Sequence, residues 1–334
     1  MSIRRNALGL TVASMLCTTG LQAEGPVDGK VYGRLDLNYG TNDNKVSEDA
    51  WRVSSAASRF GFKGKTKLDG NLEAVYKIEF GVNADDGASG SGKGTDTDVD
   101  TNTQTISQRN VHVGIQGAFG GIHMGKTDTP LKKAQGKFDL FNDYEGDIGK
   151  ILLGENRESN QLFYVSPDFS GARLTVAAIP GEQNGVDDED GPADATSVSL
   201  SYTMGGIYVA LAADTDVKTR KQSVTRGVVN YKVADLKLGA LYQTAKLDEG
   251  AMYPNAEEEA DGMGASLAYT IGKVTVKAQH VASEQKVEEG TSSSFGVDYK
   301  LGEKTKTYVF YTAMDGKADA DQTTITAAGI QHKF

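Results

Sequence analysis

Period-two alternation of apolar and polar side chains runs through nearly every segment of this chain and constrains its fold more than any other feature. Leu72, Ala74, Tyr76, Ile78 and Phe80 alternate with Glu73, Val75, Lys77 and Glu79. Val198, Leu200 and Tyr202 alternate with Ser199, Ser201 and Thr203, and Val274, Val276 and Ala278 with Thr275, Lys277 and Gln279. Successive side chains of a strand point to opposite faces, so each such segment has one apolar and one polar face. Pro26, Pro130, Pro167, Pro180, Pro192 and Pro254 all fall at segment ends or in connections. Proline has no N–H to give a ladder, and its exclusion from the segment interiors supports the same reading.

Sixteen strands are expected, at 31–39, 51–66, 71–83, 105–116, 121–126, 158–165, 172–180, 196–203, 207–214, 223–231, 236–247, 263–270, 274–283, 292–299, 305–314 and 323–334. Short turns at 204–206, 232–235 and 271–273 alternate with long polar connections at 84–103, 127–156, 181–195 and 248–261. That pattern describes an all-β antiparallel transmembrane barrel with one smooth rim and one of long external loops. Most strands come close to the roughly 9–11 tilted residues needed to cross a bilayer. An even number brings both chain ends to the smooth rim, where the first and last strands pair and leave no edge.

Composition fits a barrel better than a packed globule. Only 38% of the residues are hydrophobic, too few for a thick core, whereas a barrel needs apolar residues only on its lipid face. No run of 18 apolar residues exists, which excludes a bundle of membrane helices. A secreted two-sheet sandwich is the competing architecture, but no linker marks where it would divide into domains. The formal charge of -10 argues against a nucleic-acid partner, and one cysteine excludes a disulfide framework.

Residues 1–23 read as an export signal, with Arg4 and Arg5 before an apolar run at 7–16 and small residues at 18–20. Cleavage is expected after about Ala23, leaving 24–334 as a single barrel domain without cysteine and with a formal charge of -12.

Several segments carry a family resemblance: VYGRLDL at 31–37, SRFGFKG at 58–64, RNVHVGI at 109–115, GKTDTPLKKAQGKFDLFND at 125–143, ENRESNQLFYVSPDFSG at 155–171 and GIQHKF at 329–334. Together they resemble the Gram-negative general porins across essentially the whole mature chain. The resemblance implies a sixteen-stranded outer-membrane barrel, usually a homotrimer, that passes small hydrophilic solutes by passive diffusion. It implies that the third external loop, within 127–156, folds inward as a constriction. It also implies outer-membrane lipid and lipopolysaccharide as surroundings, and Phe334 as the signal for the barrel-assembly machinery.

Such a bore needs a polar, charged constriction, since a wide apolar one dewets and closes. The long connection carries Asp139, Asp143, Glu145 and Asp147 beside Phe138, Leu140 and Phe141. The expectation is that the apolar three press on the wall while the carboxylates face water. Arg59 shares a face with Lys63, opposite Phe60 and Phe62, and so points into the lumen if those rings face lipid. Arg109 and Arg157 resemble the positions at which related porins place their arginine cluster. Arg34 and Lys126 are additional candidate lumen charges. Arg109 shares its parity with Val111, Val113 and Ile115, so either a bulge breaks the alternation there or the stretch faces a neighbouring subunit. Between 127 and 155 six acids stand against four lysines, which predicts a weak cation preference.

Other motifs fail. Residues 87–94 (GASGSGKG) place Gly94 where a phosphate-binding loop needs Ser or Thr, and no helix follows. Asp96, Asp98 and Asp100 begin a calcium-loop spacing, but Thr101 and Ser107 stand where its Gly and Glu belong. His112, His123, His280 and His332 form no metal or triad motif, so neither a metal nor a cofactor is expected. The acidic tips at 85–86, 187–190 and 257–259 read as solubilising, with divalent cations among lipopolysaccharide head groups as the other possibility. Alternatives to a channel are an outer-membrane hydrolase, needing Ser or Asp beside a rim histidine, and a plugged adhesin or structural barrel.

Overall fold

The computed structural model describes residues 27–44, 47–85, 105–181, 191–217, 222–246, 259–318 and 322–334. The expected export signal, residues 87–94, Asp96, Asp98, Asp100 and the acidic tip at 187–190 lie outside these.

The strands are β1 (Val27–Asn44), β2 (Ser47–Ser55), β3 (Arg59–Lys67), β4 (Glu73–Val82), β5 (Ile106–Gly117), β6 (Gly120–Asp128), β7 (Arg157–Val165), β8 (Ala172–Ile179) and β9 (Ala195–Met204). They continue as β10 (Ile207–Val217), β11 (Gln222–Val233), β12 (Leu236–Lys246), β13 (Glu259–Ile271), β14 (Val274–Ser283), β15 (Gly290–Lys300), β16 (Thr305–Asp315) and β17 (Thr323–Lys333). All belong to one sheet, and each pairs antiparallel with its sequence neighbours except β2 and β3, which both pair with β1. β1 closes the ring on β17, from Arg34 opposite Lys333 to Asn44 opposite Thr323. Gly33 and Phe334 extend the seam by exchanging backbone hydrogen bonds of 3.2 and 3.1 Å.

The expected strand at 51–66 is divided in two. Ala57 adopts φ 49° between β2 and β3, and β1 pairs with both pieces, Leu37 opposite Ser55 and Arg34 opposite Arg59. The two pieces are one kinked stave, so the ring is a closed sixteen-stranded antiparallel barrel. Short turns end the other rim, with Gly205, Ala234 and Gly272 in the left-handed region that tight hairpins require.

Burial is inverted relative to a water-soluble sheet. On β9, Val198, Leu200 and Tyr202 are exposed, while Ser197 and Ser199, on the opposite parity, are buried. On β10, Leu211 is 64% exposed, flanked by buried Ala210 and Ala212. The apolar face therefore points outward, where only hydrocarbon makes it stable, and the small polar face lines the interior.

The connection between β6 and β7 contains helix α1 (Pro130–Ala134) and a 3-10 turn at Ile148–Lys150. Thr129 starts the helix by accepting from the Lys132 N–H, and Pro130 supplies the preset first φ. Asp147 does the same for the 3-10 turn, accepting from Gly149 N at 2.7 Å.

Sidedness is testable at one pair of positions. Leu200→Lys should destabilise the barrel in lipid vesicles by about 2–4 kcal/mol, whereas Ser201→Lys on the inner face should change urea-unfolding stability little. Equal effects of the two would refute the assignment of faces.

Candidate functional site

Residues 129–156 lie against the inward faces of the wall, and three apolar clusters hold them there. Phe138, Ile148, Ile151 and Leu152 pack on Val228, Leu241 and Val281 of β11, β12 and β14. Leu131, Ala134 and Leu153 pack on Ala210, Ala212, Val224 and Ala245. Phe141 and Tyr144 pack on Ala56, Tyr308, Phe310, Ile325 and Ala327. Phe138 and Phe141 are fully buried, and Leu140 joins the last cluster partly buried.

Polar bonds fix the register of that packing. Arg226 on β11 is fully buried and donates to Glu155 Oε1 (2.7 Å), the Leu153 carbonyl (3.0 Å) and Gln243 Oε1 (2.7 Å). Gln285 accepts from Leu153 N at 3.0 Å, and Gln279 accepts from Leu140 N at 2.8 Å while donating to the Gly146 carbonyl at 3.1 Å. Burial pushes the Glu155 carboxyl up despite the opposing pull of Arg226. On the other side Tyr144 reaches Asp36 Oδ2 at 3.5 Å, and Asp36 also accepts from Tyr308 (2.6 Å) and Gln331 (2.5 Å) across the closing seam. In the sequence these wall partners carry no motif of their own. An arginine between two valines on β11 was the available signal, because all three share the inward parity.

The four loop acids do not act alike. Asp139 is turned into the loop, accepting from Phe141 N, Ile148 N and Gln279 Nε2 at 2.9, 3.2 and 3.2 Å. Burial and the nearby Asp147 push its carboxyl up, so the expectation that Asp139 faces the water is corrected: its oxygens bond the loop's own backbone. Asp147 is committed to Gly149 N, Asp143 N (2.9 Å) and Asn142, yet still borders the open interior. Glu145 pairs with Lys150 (2.8 Å) and Arg52 (3.5 Å) and lines a second open cavity that also borders Asp147. Asp143 spans the gap to the opposite wall, meeting Arg34 at 2.6 Å and Arg59 at 3.2 Å. Burial by itself would raise its carboxyl, but the guanidinium groups of Arg59 and Arg34 outweigh it and hold it below the usual range.

The basic wall is built from β1, β3, β4, β5 and β7. Arg34 also donates to the carbonyls of Ala56 (2.9 Å) and Ala57 (3.3 Å), which the kink between β2 and β3 leaves free. Arg109 reaches the interior through a bulge: Ile78 pairs with Val111 and Phe80 with Gln108, so Arg109 and Asn110 both stand opposite Glu79. Both bond that carboxylate, at 3.4 and 2.7 Å. Arg157 pairs with Asp128 at 2.8 Å. Lys63 lies inside but away from these, its ammonium 5.0 Å over the Tyr32 ring. Lys126 does not face the lumen. It stands directly opposite Val111, which is itself opposite the exposed Ile78, and paired residues share a face. Lys77 and Lys133, the latter on α1, supply interior charge instead.

Arg59, Arg109, Arg157, Lys77, Lys132 and Lys133 meet Glu79, Asp128, Asp143 and Asp147 around one open cavity of about 410 Å³. Six cations against four carboxylates make this stretch of bore net positive. His280 does meet Ser293 at 2.8 Å, but on the outward face and with no carboxylate bonded to either among the described residues. No group of His, Cys, Asp and Glu among the described residues has the makings of a metal site.

A closed barrel with apolar exterior and charged, open interior defines an outer-membrane channel, and the comparisons agree. Residues 9–319 match the family described as Gram-negative porin, and the chain belongs to that family. It is 25% identical to the major outer membrane protein P.IB of Neisseria gonorrhoeae, over 99% of this chain and 100% of the relative. An anion-selective porin from Comamonas acidovorans superposes with TM-score 0.71 at 18% identity, covering 92% of this chain and 100% of that one. A trimer form of OmpT from Vibrio cholerae gives TM-score 0.63 at 17% identity, covering 92% and 99%. The protein is thus an outer-membrane porin, a water-filled channel for passive diffusion rather than an enzyme.

Removing the buried latch should loosen the loop without opening the barrel. Arg226→Ala removes the buried ion-pair partner of Glu155, which keeps only Gln135 and Lys132, and one of the two donors to the Leu153 carbonyl, a loss of about 3–5 kcal/mol for a broken buried pair. Faster proteolysis within 129–156 and noisier single-channel current are expected; unchanged protection would show that the apolar clusters suffice.

Proposed function

We propose that the channel is narrowest between Asp143 and Asp147 on the loop and Arg34, Arg59, Arg109 and Arg157 on the facing wall. The observation that carries this is the Asp143 bridge to Arg34 and Arg59, which joins the loop to the opposite side of the ring. Opposed charges across a wet gap set a transverse field that orients dipolar solutes and disfavours apolar ones. Arginine suits the task because its charge is permanent and its planar fork stays in place.

The net positive lining favours anions, in place of the cation preference that counting loop charges predicts. Two of the counted acids are committed within the protein, Asp139 to the loop backbone and Glu155 to the buried Arg226. Anion selectivity in the Comamonas relative supports this preference. The Vibrio trimer form likewise supports a homotrimer here. Membrane lipid and lipopolysaccharide around the exterior, cleavage after Ala23, and assembly through Phe334 complete the proposal.

Planar bilayers provide the test. The purified protein should give stepwise conductance of fixed size, and reversal potentials in a salt gradient should show a weak anion preference at pH 7. Enclosure in the barrel, with Lys77 and Arg157 nearby, pushes the Lys133 ammonium down to about 8. It is charged below that pH and neutral above, so anion preference should weaken as pH rises from 7 to 9. Lys133→Arg should flatten the change. Silent bilayers would remove the channel, and cation selectivity at pH 7 would remove the charge argument.

A further inference from the structure

The cations of the bore outnumber the charges that hold them. Asp143 is shared between Arg34 and Arg59, at 2.6 and 3.2 Å. Glu79 is shared between Arg109 (3.4 Å) and Lys77 (3.2 Å). Asp128 is shared between Arg157 (2.8 Å) and Lys132 (3.7 Å). Each of these carboxylates thus serves two cations. Asp147 is engaged with backbone N–H groups and Asn142, and Glu155 belongs chiefly to Arg226.

Lys133 has no carboxylate within ion-pair distance among the described residues. Its ammonium lies 5.1 Å over the Phe163 ring, and its side chain remains open to the bore's water. Arg157 lines the same cavity with its guanidinium partly open to it, and Asp128, itself shared with Lys132, is its one ion-pair partner among the described residues. Side chains with unused donors, held next to like charges, form a site that is completed by an anion rather than by the protein. One chloride would neutralise only half of the excess of two charges around this cavity. A tetrahedral dianion brings two charges and several acceptor oxygens, which suits an ammonium with three donors beside a guanidinium edge. The cavity of about 410 Å³ leaves room for a body the size of a monosaccharide behind such a group.

Building on the channel reading, we propose that Lys133 and Arg157 form a saturable binding site for the phosphate group of small phosphorylated solutes. Passage of such solutes then runs through an occupied state instead of free diffusion alone. Lys133 sits on α1, the capped turn of the inward loop, so the loop contributes to the site as well as narrowing the bore.

Single-channel chloride current through the full-length porin, titrated with glucose 6-phosphate, inorganic phosphate and glucose, tests this. Both phosphates should interrupt the current in a saturable way, and glucose should not. Lys133→Gln should raise the half-saturating concentration about tenfold or more, the loss of one charged hydrogen bond. Lys133→Arg should keep the block, and so should Lys246→Gln, which touches only an exposed rim ion pair. Current that changes in proportion to phosphate without saturating, or a Lys133→Gln channel with unchanged half-saturation, would overturn the site while leaving the channel intact. Absence of conductance steps in potassium chloride alone would instead strike the channel reading itself.

Discussion

Every backbone N–H and C=O that crosses hydrocarbon must find its partner inside the sheet, and the rest of this structure depends on that requirement. An open edge would strand a row of such groups in lipid, at several kcal/mol each. The ring therefore has to close, and β1 closes it by pairing with β17 along its second half. The same strand pairs with β3 and then β2 on its other side, which is why it is the longest strand among those described. Closure also explains Asp36, whose carboxylate gathers Tyr308, Gln331 and Tyr144 where first strand, last strands and loop meet.

Closure creates an interior with two unlike sides. Over β10–β17 the inward face carries Val224, Val228, Leu241, Val281, Phe310 and Ile325, and the loop lies on these. A loop in a water-filled bore must bury apolar groups somewhere to stay put, and the wall provides the matching surface. The side left uncovered, on β1, β3, β4, β5 and β7, is the charged one. Asp143 joins the two halves. It holds a left-handed backbone (φ 71°) that would be costly for most residues, kept by Asp147 beneath it and the two guanidinium groups across from it.

The bore's electrostatics follow from how carboxylates are spent rather than from how many there are. Asp139 and Glu155 serve the loop's own architecture, so the loop presents less negative charge to water than its composition suggests. Wall cations, by contrast, share carboxylates in pairs. A charge excess of this kind is stable only because the lumen is wet, since in a dry interior each uncompensated cation would be costly.

Strand number, the inward parity of Arg59, the lipid-facing apolar row and the closing of the ring were all legible in the chain, because a period of two is a local property that needs no knowledge of neighbours. The porin motifs extended this to the inward loop and to Arg109, whose parity left a bulge or a subunit contact open, and the register shift opposite Glu79 decides for the bulge. Lys126 shares its parity with the exposed Ile122 and Met124, so its outward side was legible in the alternation, and its charge alone suggested the lumen. Asp139, Lys133 and the Arg226–Glu155 latch were decided only by the tertiary structure. Whether a carboxylate faces water or a backbone amide, and whether a lysine has a counter-charge, depends on residues far away in the chain. Hydrogen-bonding and Coulomb partners are matters of a few ångströms in space, and alternation along a strand carries no record of them.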